Sequence, residues 1–308
     1  MKVLIVGLGS IARKHVDALF SINKDVEIYA LRSNSNKKNV DGVTNIYKLN
    51  NSKLIFDFAI ISSPTHLHFK FIEKLTMLEI PLFIEKPTLH TLEKVDYLTS
   101  IIEKKSIVTY IACNLRFHPC ILFLKNKIQE KKLKVNEVNV YCGSYLPDWR
   151  PDQDFKTTYS ANANMGGGVH LDLFHELDYT TWLFGQPIKS NSFLRSSSTL
   201  NITSFDYANY TLEYSNFTAN IILNYYRKQP KREIEIVLEN NTWTVDLINN
   251  NIKNDTGECL FKSDDFQLKD TYKLQLLYFF DCLKNKHKPM NSFKDSLDNL
   301  KICLQNEE

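Results

Sequence analysis

The residues best suited to chemistry lie in the stretch NMGGGVHLDLFHELDYTTWLFG, residues 164–185. Three consecutive glycines, residues 166–168, are a third of the nine in the chain. Asp172, His175 and Asp178 follow at intervals of three residues, a spacing that places neighbours on one face of a helix. A histidine can take up a proton near neutral pH, and a nearby carboxylate can orient it or bind a substrate hydroxyl.

The glycines predict the shape of this stretch. Glycine lets backbones approach closely and lets a chain enter a helix sharply, so we expect one helix that follows the glycines and ends at Gly185. Asp172 and His175 would share a face of this helix, and Asp178 would lie further round and fix His175. The alternative is a buried helix whose polar residues only satisfy one another. His170 precedes Asp172, but too few further ligands converge, so we predict no metal site.

A second group of candidates lies near residue 1. Gly7, Gly9 and Ala12 form the pattern G-x-G-x-x-A, with Ser10 and Ile11 inside it, directly after the apolar run KVLIV. Between a strand and a helix this pattern is typical of a dinucleotide-binding loop. Gly7 permits the tight turn, Gly9 lets a pyrophosphate approach the backbone, and the helix N-terminus favours negative charge. The alternative is a glycine turn without a ligand.

The end of the second strand bears on which dinucleotide binds. NAD-binding folds usually place an acid there, about 20 residues after the glycines. Arg32 and Ser33 occupy that place in this chain. Because a guanidinium gives bidentate, charge-assisted hydrogen bonds to a 2′-phosphate, we predict NADP(H) as the preferred cofactor. NAD(H) is the alternative, with Arg32 at the surface or stacked on adenine.

Two further strand ends carry polar residues. The segment SSPTHLH contains Ser63, Pro64 and Thr65, which would border the dinucleotide, and His68, which would face it or only pack at the helix start. The segment EKP contains Lys86, which follows an apolar strand and precedes a proline. We expect Lys86 to line a pocket for a nicotinamide and a substrate. The alternative is a lysine that reaches solvent.

Alternating strands and helices must position these motifs. Apolar runs alternate with helical patterns in the first third of the chain, and the runs are residues 2–6, 26–31, 56–63, 80–85 and 106–113. This order predicts an α/β Rossmann domain with a doubly wound parallel sheet. From residue 187 apolar and polar residues alternate, which predicts an α+β domain with a large open, mostly antiparallel sheet. The predicted domains are 1–115 and 116–308, and the last helices are left open to pack back on the first domain.

The motifs GLGSIARKH, SSPTHLH, IEKP, NLRFHP and GGGVHLDLFHELD occur in this order. As a set they resemble the glucose–fructose oxidoreductase, inositol dehydrogenase and rhizopine catabolism (Gfo/Idh/MocA) family. The resemblance covers roughly the first 190 residues and beyond them rests on the strand-rich pattern. It implies a Rossmann domain, an open sheet that often forms the oligomer interface, an NAD(P) cofactor, and oxidation or reduction of a sugar, polyol or related carbonyl.

The resemblance also implies roles for single residues. Lys86 would be catalytic, His175 would be the acid/base, Asp172 would contact substrate, and Asn114 would lie near the nicotinamide. The common family spacing is Asp-x-x-x-His, whereas this chain has Asp172-x-x-His175, which puts the geometry of Asp172 in question. The expected cofactor-binding residues are Gly7, Gly9, Ser10, Ile11, Ala12, Arg32, Ser33, Ser63, Pro64, Thr65, His68, Glu85, Lys86 and Asn114.

The segment YLPDWRPDQDFKTTYSA, residues 145–161, is a candidate substrate loop. Trp149 can stack on a sugar face, Arg150 can bind a phosphate or carboxylate, and Tyr159 adds a hydroxyl. With the short Asp-x-x-His form, the loop is similar to family members found in bacterial surface-sugar biosynthesis. The alternative is a packed, irregular connection.

Composition narrows the class of protein. The chain has 308 residues with 38 basic and 35 acidic side chains, and a net charge of +3 argues against nucleic acid as the main partner. No apolar run is long enough for a membrane span. Six cysteines without a C-x-x-C pair favour reduced thiols and a cytoplasmic location. Apolar strand faces without an obvious covering layer predict an exposed apolar patch and a homodimer or homotetramer.

The sequence therefore predicts an oxidoreductase that acts on CH–OH groups. An alcohol carbon would give hydride to the nicotinamide while His175 takes the hydroxyl proton and Lys86 hydrogen-bonds the same oxygen. Two alternatives remain: a redox-assisted glycoside hydrolase or lyase on the same fold, and a non-catalytic dinucleotide-binding sensor. The presence of both Lys86 and His175 argues against the sensor.

Overall fold

The chain divides into two compact units. The computed structural model describes residues 1–33, 39–49, 54–131 and 133–305. The first unit comprises Met1–Asn114 with Leu268–Leu297, and the second comprises Leu115–Gln267 with Asp298–Glu308. Residues 268–297 thus group with the first unit, although they follow most of the second along the chain.

The first unit contains a six-stranded parallel sheet. Its strands are β1 (Lys2–Val6), β2 (Glu27–Leu31), β3 (Val43–Ile46), β4 (Phe58–Ile61), β5 (Leu82–Glu85) and β6 (Thr109–Ala112). The strand order is β3-β2-β1-β4-β5-β6, so the direction of winding reverses between β1 and β4. Ligands of doubly wound sheets bind at the carboxyl ends of strands beside such a reversal. The predicted doubly wound sheet is confirmed.

Burial on both faces explains the apolar runs of this sheet. Val3, Leu4 and Ile5 of β1 and all of β4 are fully buried, as parallel strands between two helix layers are. The helices of the unit are α1 (Ser10–Ile22), α2 (His68–Met77), α3 (Val95–Lys104), α7 (Asp270–Asn285) and the first half of α8 (Phe293–Cys303). Helix α7 packs on α1, and α2 packs on α3, β4 and β5.

The second unit is built on an eight-stranded sheet. Its strands are β7 (Val135–Tyr145), β8 (Lys189–Arg195), β9 (Tyr207–Glu213), β10 (Thr218–Asn224), β11 (Tyr226–Leu238), β12 (Thr242–Asp246), β13 (Asn251–Asn254) and β14 (Cys259–Lys262). The order is β14-β13-β12-β11-β7-β10-β9-β8, and only the pairing of β10 with β7 is parallel. The predicted large, mostly antiparallel sheet is confirmed.

The apolar face of this sheet is covered by helices. They are α4 (Pro119–Lys131), α5 (Val169–Asp172) and α6 (His175–Phe184), of which α5 contacts β9 and β10 and α6 contacts β7. The opposite face, here called the open face, carries a row of polar residues across adjacent strands. In this row Thr211 Oγ1 donates to Asn220 Oδ1 at 3.2 Å, and Asn139 Nδ2 donates to Glu235 Oε1 at 3.1 Å. Most apolar residues of these strands turn toward the helices, but Phe193 on the open face is 54% exposed, so this face is mixed rather than the apolar patch that was predicted.

His118, just before α4, is held as a neutral ring. Its Nε2–H donates to Asn250 Oδ1 at 3.1 Å, and its Nδ1 accepts from the Cys120 backbone N–H at 3.2 Å. Protonation of the ring would put a proton on Nδ1, directly against the N–H of Cys120 that Nδ1 now accepts. Burial lowers the pKa of His118 to about 4.

We predict that His118 makes stability depend on pH. The unfolded chain binds the proton below about pH 6.5, whereas the folded chain does so only below about 4. The neutral ring of His118 therefore adds its full share to the free energy of unfolding above about pH 6.5. This share, about 3 kcal/mol in total, is lost as pH falls toward about 4. Urea unfolding across this range should show a smaller pH dependence for His118→Gln than for wild type. His287→Gln, at an exposed histidine, is the control, and an equal change in both variants would contradict the assignment.

Candidate active-site residues

The loop from β1 to α1 contains two glycines that are needed for different reasons. Gly7 has a φ of +85°, and a Cβ there would lie 3.1 Å from the Ser63 backbone, so both conformation and space exclude a side chain. Gly9 precedes α1, and a Cβ there would meet no described atom within 4 Å. Nothing among the described residues therefore blocks a ligand from approaching the backbone of Gly9.

The N-terminus of α1 suits a negatively charged group. Gly9 and Ser10 are exposed, Ile11 is half-buried and Ala12 is buried against the sheet. Within the described chain no side chain caps this helix end and no acid lies in its first turn. Its N–H groups and the helix dipole favour an anion, so these residues fit the pyrophosphate of a dinucleotide.

Arg32 follows β2, and its side chain turns toward the neighbouring β3. Its Nη1 donates to Asn45 Oδ1 at 3.0 Å, and only 7% of the residue is exposed. Ser33, the next residue, is exposed. A guanidinium is thus present at the carboxyl end of β2, where NAD-binding folds usually carry an acid.

His68 is the first residue of α2 and is buried, with 1% exposure. Its Nδ1 lies 3.1 Å from the Thr88 carbonyl oxygen and its Nε2 lies 3.0 Å from the Ser63 carbonyl oxygen. Burial lowers the pKa of His68, so the ring is neutral and donates one of these two bonds. The ring ties the loop after β4 to the loop after β5, which favours the packing alternative for His68. Pro64 and Thr65 follow Ser63 and open a short 3-10 turn.

Lys86 lies between two anchored residues. Glu85 Oε1, at the end of β5, is 2.5 Å from Nε2 of the fully buried His15 on α1. On the other side, the Thr88 carbonyl oxygen lies 3.1 Å from His68 Nδ1, and the Thr88 Oγ1 lies 2.7 Å from Ser296 Oγ. The backbone of Lys86 is therefore fixed at the carboxyl end of the sheet. Glu85, which was predicted to bind the cofactor, is a structural partner of His15. His15 was not predicted from the sequence.

Asn114 is buried at the end of the first unit. Its Nδ2 donates to Thr271 Oγ1 at 2.7 Å, and that hydroxyl in turn donates to the Leu268 carbonyl oxygen at 2.7 Å. Asn114 thus fixes the start of α7 as well as standing at the carboxyl side of β6. Thr271 was not predicted, because nothing near it in sequence distinguishes it from other helix-start threonines.

The three glycines before α5 permit close packing and positive φ angles. Gly166 and Gly168 have φ values of +74° and +146°. A Cβ on Gly167 would overlap the Tyr159 carbonyl oxygen, and one on Gly168 would overlap the His170 ring. The predicted close backbone approach therefore occurs, and it brings the residue 159 turn against the start of α5.

The predicted single helix is two helices. Helix α5 ends at Asp172 and α6 begins at His175, and Leu173 between them has φ −98° and ψ +35°, outside the helical region. Asp172 and His175 therefore do not share a face of one continuous helix, and this expectation is corrected. The Leu173 N–H still donates to the Val169 carbonyl oxygen at 2.8 Å, and the helix is interrupted by the backbone conformation of Leu173 itself.

Asp172 accepts hydrogen bonds from two tyrosines. The hydroxyl of Tyr159 donates to Oδ1 at 2.7 Å, and the hydroxyl of Tyr225 donates to Oδ2 at 2.5 Å. Burial, and after it the charge of Asp172, raises the pKa of both tyrosines, so both remain donors at neutral pH. Asp172 is thus a fixed acceptor. Tyr225 was missed because it lies in a strand-rich stretch with many tyrosines.

Two other predicted substrate residues join this group. The Trp149 ring meets the Tyr225 ring edge-on at 5.4 Å, and its Nε1–H donates to Ser144 Oγ at 2.8 Å. The guanidinium of Arg150 lies 5.9 Å from the Tyr159 ring centroid. Both Trp149 and Arg150 are exposed. Trp149 and Arg150 thus contact the two tyrosines that donate to Asp172, and the role of the loop in substrate binding stays a prediction.

His175 begins α6, whose first turns are fixed by two buried acids. Glu176 Oε1 accepts from Arg232 Nε of β11 at 2.6 Å. Asp178 pairs with Arg116 through two hydrogen bonds of 2.9 and 2.7 Å. The expectation that Asp178 fixes His175 directly is corrected, since its carboxylate is bound to Arg116. Arg116, in the motif NLRFHP, was not selected from the sequence.

The described residues contain neither a cluster placed to hold a metal ion nor a helix that could span a membrane. In the part of the chain that the structure describes, no group of three or more His, Cys, Asp or Glu side chains is placed to hold a metal ion. The helices built from described residues include none with the length and apolarity needed to cross a membrane.

Comparison with known proteins covers both units. Residues 1–112 match the family model described as oxidoreductase family, NAD-binding Rossmann fold (GFO_IDH_MocA), and residues 124–244 match the GFO/IDH/MocA C-terminal domain. Levoglucosan dehydrogenase of Pseudarthrobacter phenanthrenivorans is 25% identical over 128 residues, which are 41% of this chain. The match spans 32%, about a third, of the length of that curated relative.

Solved structures share the fold over nearly the whole chain. UDP-N-acetylglucosamine 3-dehydrogenase GnnA from Acidithiobacillus ferrooxidans is 18% identical, with a TM-score of 0.78 over 99% of this chain and 96% of its own. The WlbA dehydrogenase from Bordetella pertussis, solved with NADH and UDP-GlcNAcA, is 15% identical, with a TM-score of 0.81 over 98% and 93%. At these identities the likeness shows the fold. Because the two family models together cover well over half of its residues, the chain belongs to the Gfo/Idh/MocA oxidoreductase family.

Proposed function

We propose that this protein is an NAD(P)-dependent oxidoreductase that interconverts a hydroxyl and a carbonyl on a sugar or nucleotide sugar. The observation that carries the proposal is the group around Asp172, where a fixed carboxylate is combined with an exposed tryptophan and an exposed arginine. A carboxylate binds sugar hydroxyls, an indole face packs on a sugar ring, and a guanidinium binds a phosphate or carboxylate.

The substrate class is supported by the relatives as well. Two structural neighbours carry UDP sugars in their names or complexes, and the sequence relative is a levoglucosan dehydrogenase. Arg150 would meet the negative charge of a nucleotide diphosphate or a sugar acid. We accordingly propose a small-molecule sugar substrate, a place in surface-polysaccharide biosynthesis, and a cytoplasmic location. Neither nucleic acid nor a membrane is proposed as a partner.

The chemistry is divided among residues of this chain. When bound, the nicotinamide supplies the site that accepts or gives the hydride. We assign to His175 the proton of the reacting hydroxyl, because imidazole exchanges protons near neutral pH. Lys86 donates a hydrogen bond to the reacting oxygen and stabilises its developing negative charge. Asp172 orients the sugar through a neighbouring hydroxyl, and Tyr159 and Tyr225 hold its two oxygens in place.

We further propose that the chain self-associates through the open face as a homodimer or homotetramer. In the described part of the second unit, helices pack on the opposite face of the sheet. The polar row on the open face offers amide and hydroxyl groups that a second copy can pair with, and closed symmetric assemblies are the common form of self-association.

The cofactor preference gives one prediction. Arg32 should make NADP(H) bind more tightly than NAD(H), because a 2′-phosphate gains charge-assisted hydrogen bonds that a 2′-hydroxyl lacks. Arg32→Ala should lower NADP(H) affinity by about 10-fold or more and change NAD(H) affinity little. Calorimetric titration with both cofactors measures this, with Arg195→Ala in the second unit as control. Equal affinities in wild type, or an unchanged preference in Arg32→Ala, would refute it.

The catalytic assignment gives a second prediction. Lys86→Ala and His175→Ala should each lower the rate of hydride transfer by roughly 10²–10⁴-fold, the usual range for a positioned acid or base. Dinucleotide affinity should change little, because the pyrophosphate binds at the glycine loop. The assay is single-turnover absorbance of the reduced nicotinamide, with a substrate found by screening free and nucleotide sugars.

The outcomes of this assay separate the candidate functions. His287→Ala, at an exposed histidine, should retain the wild-type rate. A near wild-type rate of His175→Ala across neutral pH would remove its acid/base role. Turnover without net change in the reduced nicotinamide would instead indicate a redox-assisted hydrolase or lyase.

The tyrosine pair gives a third prediction. Tyr225→Phe keeps the buried ring but removes one donor to Asp172, so kcat/KM should fall by about 10-fold to 100-fold, mainly through KM. Dinucleotide affinity should not change. Tyr210→Phe is the matched control, because Tyr210 is also buried but its hydroxyl donates to the Cys303 carbonyl oxygen at 2.9 Å. An equal loss in both variants would show a general effect on stability rather than a positioning role.

A further inference from the structure

Asp172 is reached by side chains from distant parts of the second unit. Tyr159, 13 positions before it, lies in a short 3-10 turn, and Tyr225, 53 positions after it, lies between β10 and β11. Hydrogen bonds of 2.7 and 2.5 Å tolerate little movement of their partners. The three stretches that carry these residues must therefore be held together by contacts that the three side chains do not make themselves.

One short segment, residues 203–206 directly before β9, makes such contacts, and we call it the TSFD segment after its sequence. The Ser204 hydroxyl donates to the Ser160 carbonyl oxygen at 2.6 Å. Two backbone N–H groups of the segment donate to the Ala161 carbonyl oxygen, at 3.2 and 3.3 Å. These two acceptors directly follow Tyr159 and belong to its turn. The TSFD segment thus holds the turn that carries Tyr159.

The same segment holds the other two stretches. The Phe205 carbonyl oxygen accepts from the N–H of Val169, the first residue of α5, at 2.9 Å. The Asp206 carbonyl oxygen accepts from the Tyr225 N–H at 3.0 Å. Since α5 ends in the carboxylate that the two tyrosines share, consecutive residues of one segment are bonded to all three stretches that meet there.

A buried carboxylate fixes the TSFD segment in turn. Asp206 is 1% exposed, and its N–H donates to the Arg195 carbonyl oxygen at 2.9 Å. Its Oδ2 accepts from the Ser198 N–H at 3.0 Å and from the Ser198 hydroxyl at 2.6 Å, and its Oδ1 accepts from the Ser197 N–H at 3.4 Å. A buried carboxylate that lost such donors would be costly, so the segment is held in one position.

We propose that Ser204 and Asp206 are positioning residues of the substrate site. Both are 1% exposed, so they act through the turn of Tyr159 and the backbone of Tyr225 and not by contact with a substrate. They hold the two tyrosine hydroxyls where Asp172 can present its carboxylate to a sugar hydroxyl. This inference rests on the proposed function, because the substrate role of Asp172 belongs to that function.

The test is steady-state kinetics of Ser204→Ala with the substrate found by the screen of free and nucleotide sugars. Loss of the hydroxyl releases the turn of Tyr159, so KM should rise by about 10-fold while kcat and dinucleotide affinity change little. Because Ser204 acts through Tyr159, the double variant Ser204→Ala/Tyr159→Phe should match the KM of Tyr159→Phe within about 2-fold. Asp206→Asn, which keeps the shape of the side chain but replaces one acceptor oxygen, should also raise KM.

Hydrogen exchange gives a measurement that needs no substrate. In Ser204→Ala, peptides that cover residues 159–166 should exchange faster than in wild type, and peptides from the first unit should not. Tyr210→Phe is the matched control, because it also removes a buried hydroxyl that donates to a backbone carbonyl oxygen. It should leave both KM and the exchange of residues 159–166 unchanged.

The outcomes separate this inference from the proposed function. A KM that rises for Tyr159→Phe but not for Ser204→Ala overturns the positioning role and leaves the function intact. A double variant whose increase in KM is the product of the two single increases does the same. If Tyr159→Phe, Tyr225→Phe and Ser204→Ala all keep the wild-type KM, the substrate role of Asp172 fails as well. Unchanged exchange of residues 159–166 in both Ser204→Ala and Asp206→Asn would show that the TSFD segment does not hold the turn.

Discussion

The buried ion pair between Arg116 and Asp178 fixes helix α6 within the second unit. The two side chains are 5% and 2% exposed and are joined by two hydrogen bonds, with Asn299 Nδ2 at 3.5 Å from the same carboxylate. Removing charges from water is so costly that such a pair persists only in good geometry, and loss of one partner costs about 3–5 kcal/mol. Helix α6 therefore cannot shift by one residue without leaving both charges unpaired.

A second buried pair adds to this constraint. Glu176, two residues before Asp178, binds Arg232 on β11, and the two acids project from the first turns of α6 to different partners. His175 directly precedes them, so its backbone is fixed by contacts that it does not make itself. A histidine with a proposed role in proton transfer gains from such support, because the distance to a reacting atom tolerates little variation.

Periodicity and turn chemistry predicted much of the fold, and long-range contacts account for what was missed. The buried strands of the first sheet could be predicted because continuous apolar runs have few other solutions. Strand β3 (Val43–Ile46) was not predicted, because its half-exposed edge position permits the polar sequence VTNI. The helix break at Leu173 depends on ψ at one residue. The partners His15–Glu85, Thr271–Asn114 and Tyr225–Asp172 join residues 53 to 157 positions apart, and no local pattern marks such pairs.

The two glycines of the first loop have different roles: Gly7 is needed for the fold, and Gly9 leaves room for the cofactor. Gly7 is required by its own backbone and by the neighbouring Ser63, whatever the ligand, whereas a Cβ on Gly9 would meet no atom of the described residues within 4 Å. A methyl group at position 7 would therefore damage the protein itself, and one at position 9 would occupy only the volume that a dinucleotide needs. The chain thus contains a position at which cofactor affinity can be changed while the architecture is kept. A protein altered there would provide an intact, cofactor-free reference in which substrate binding can be measured alone.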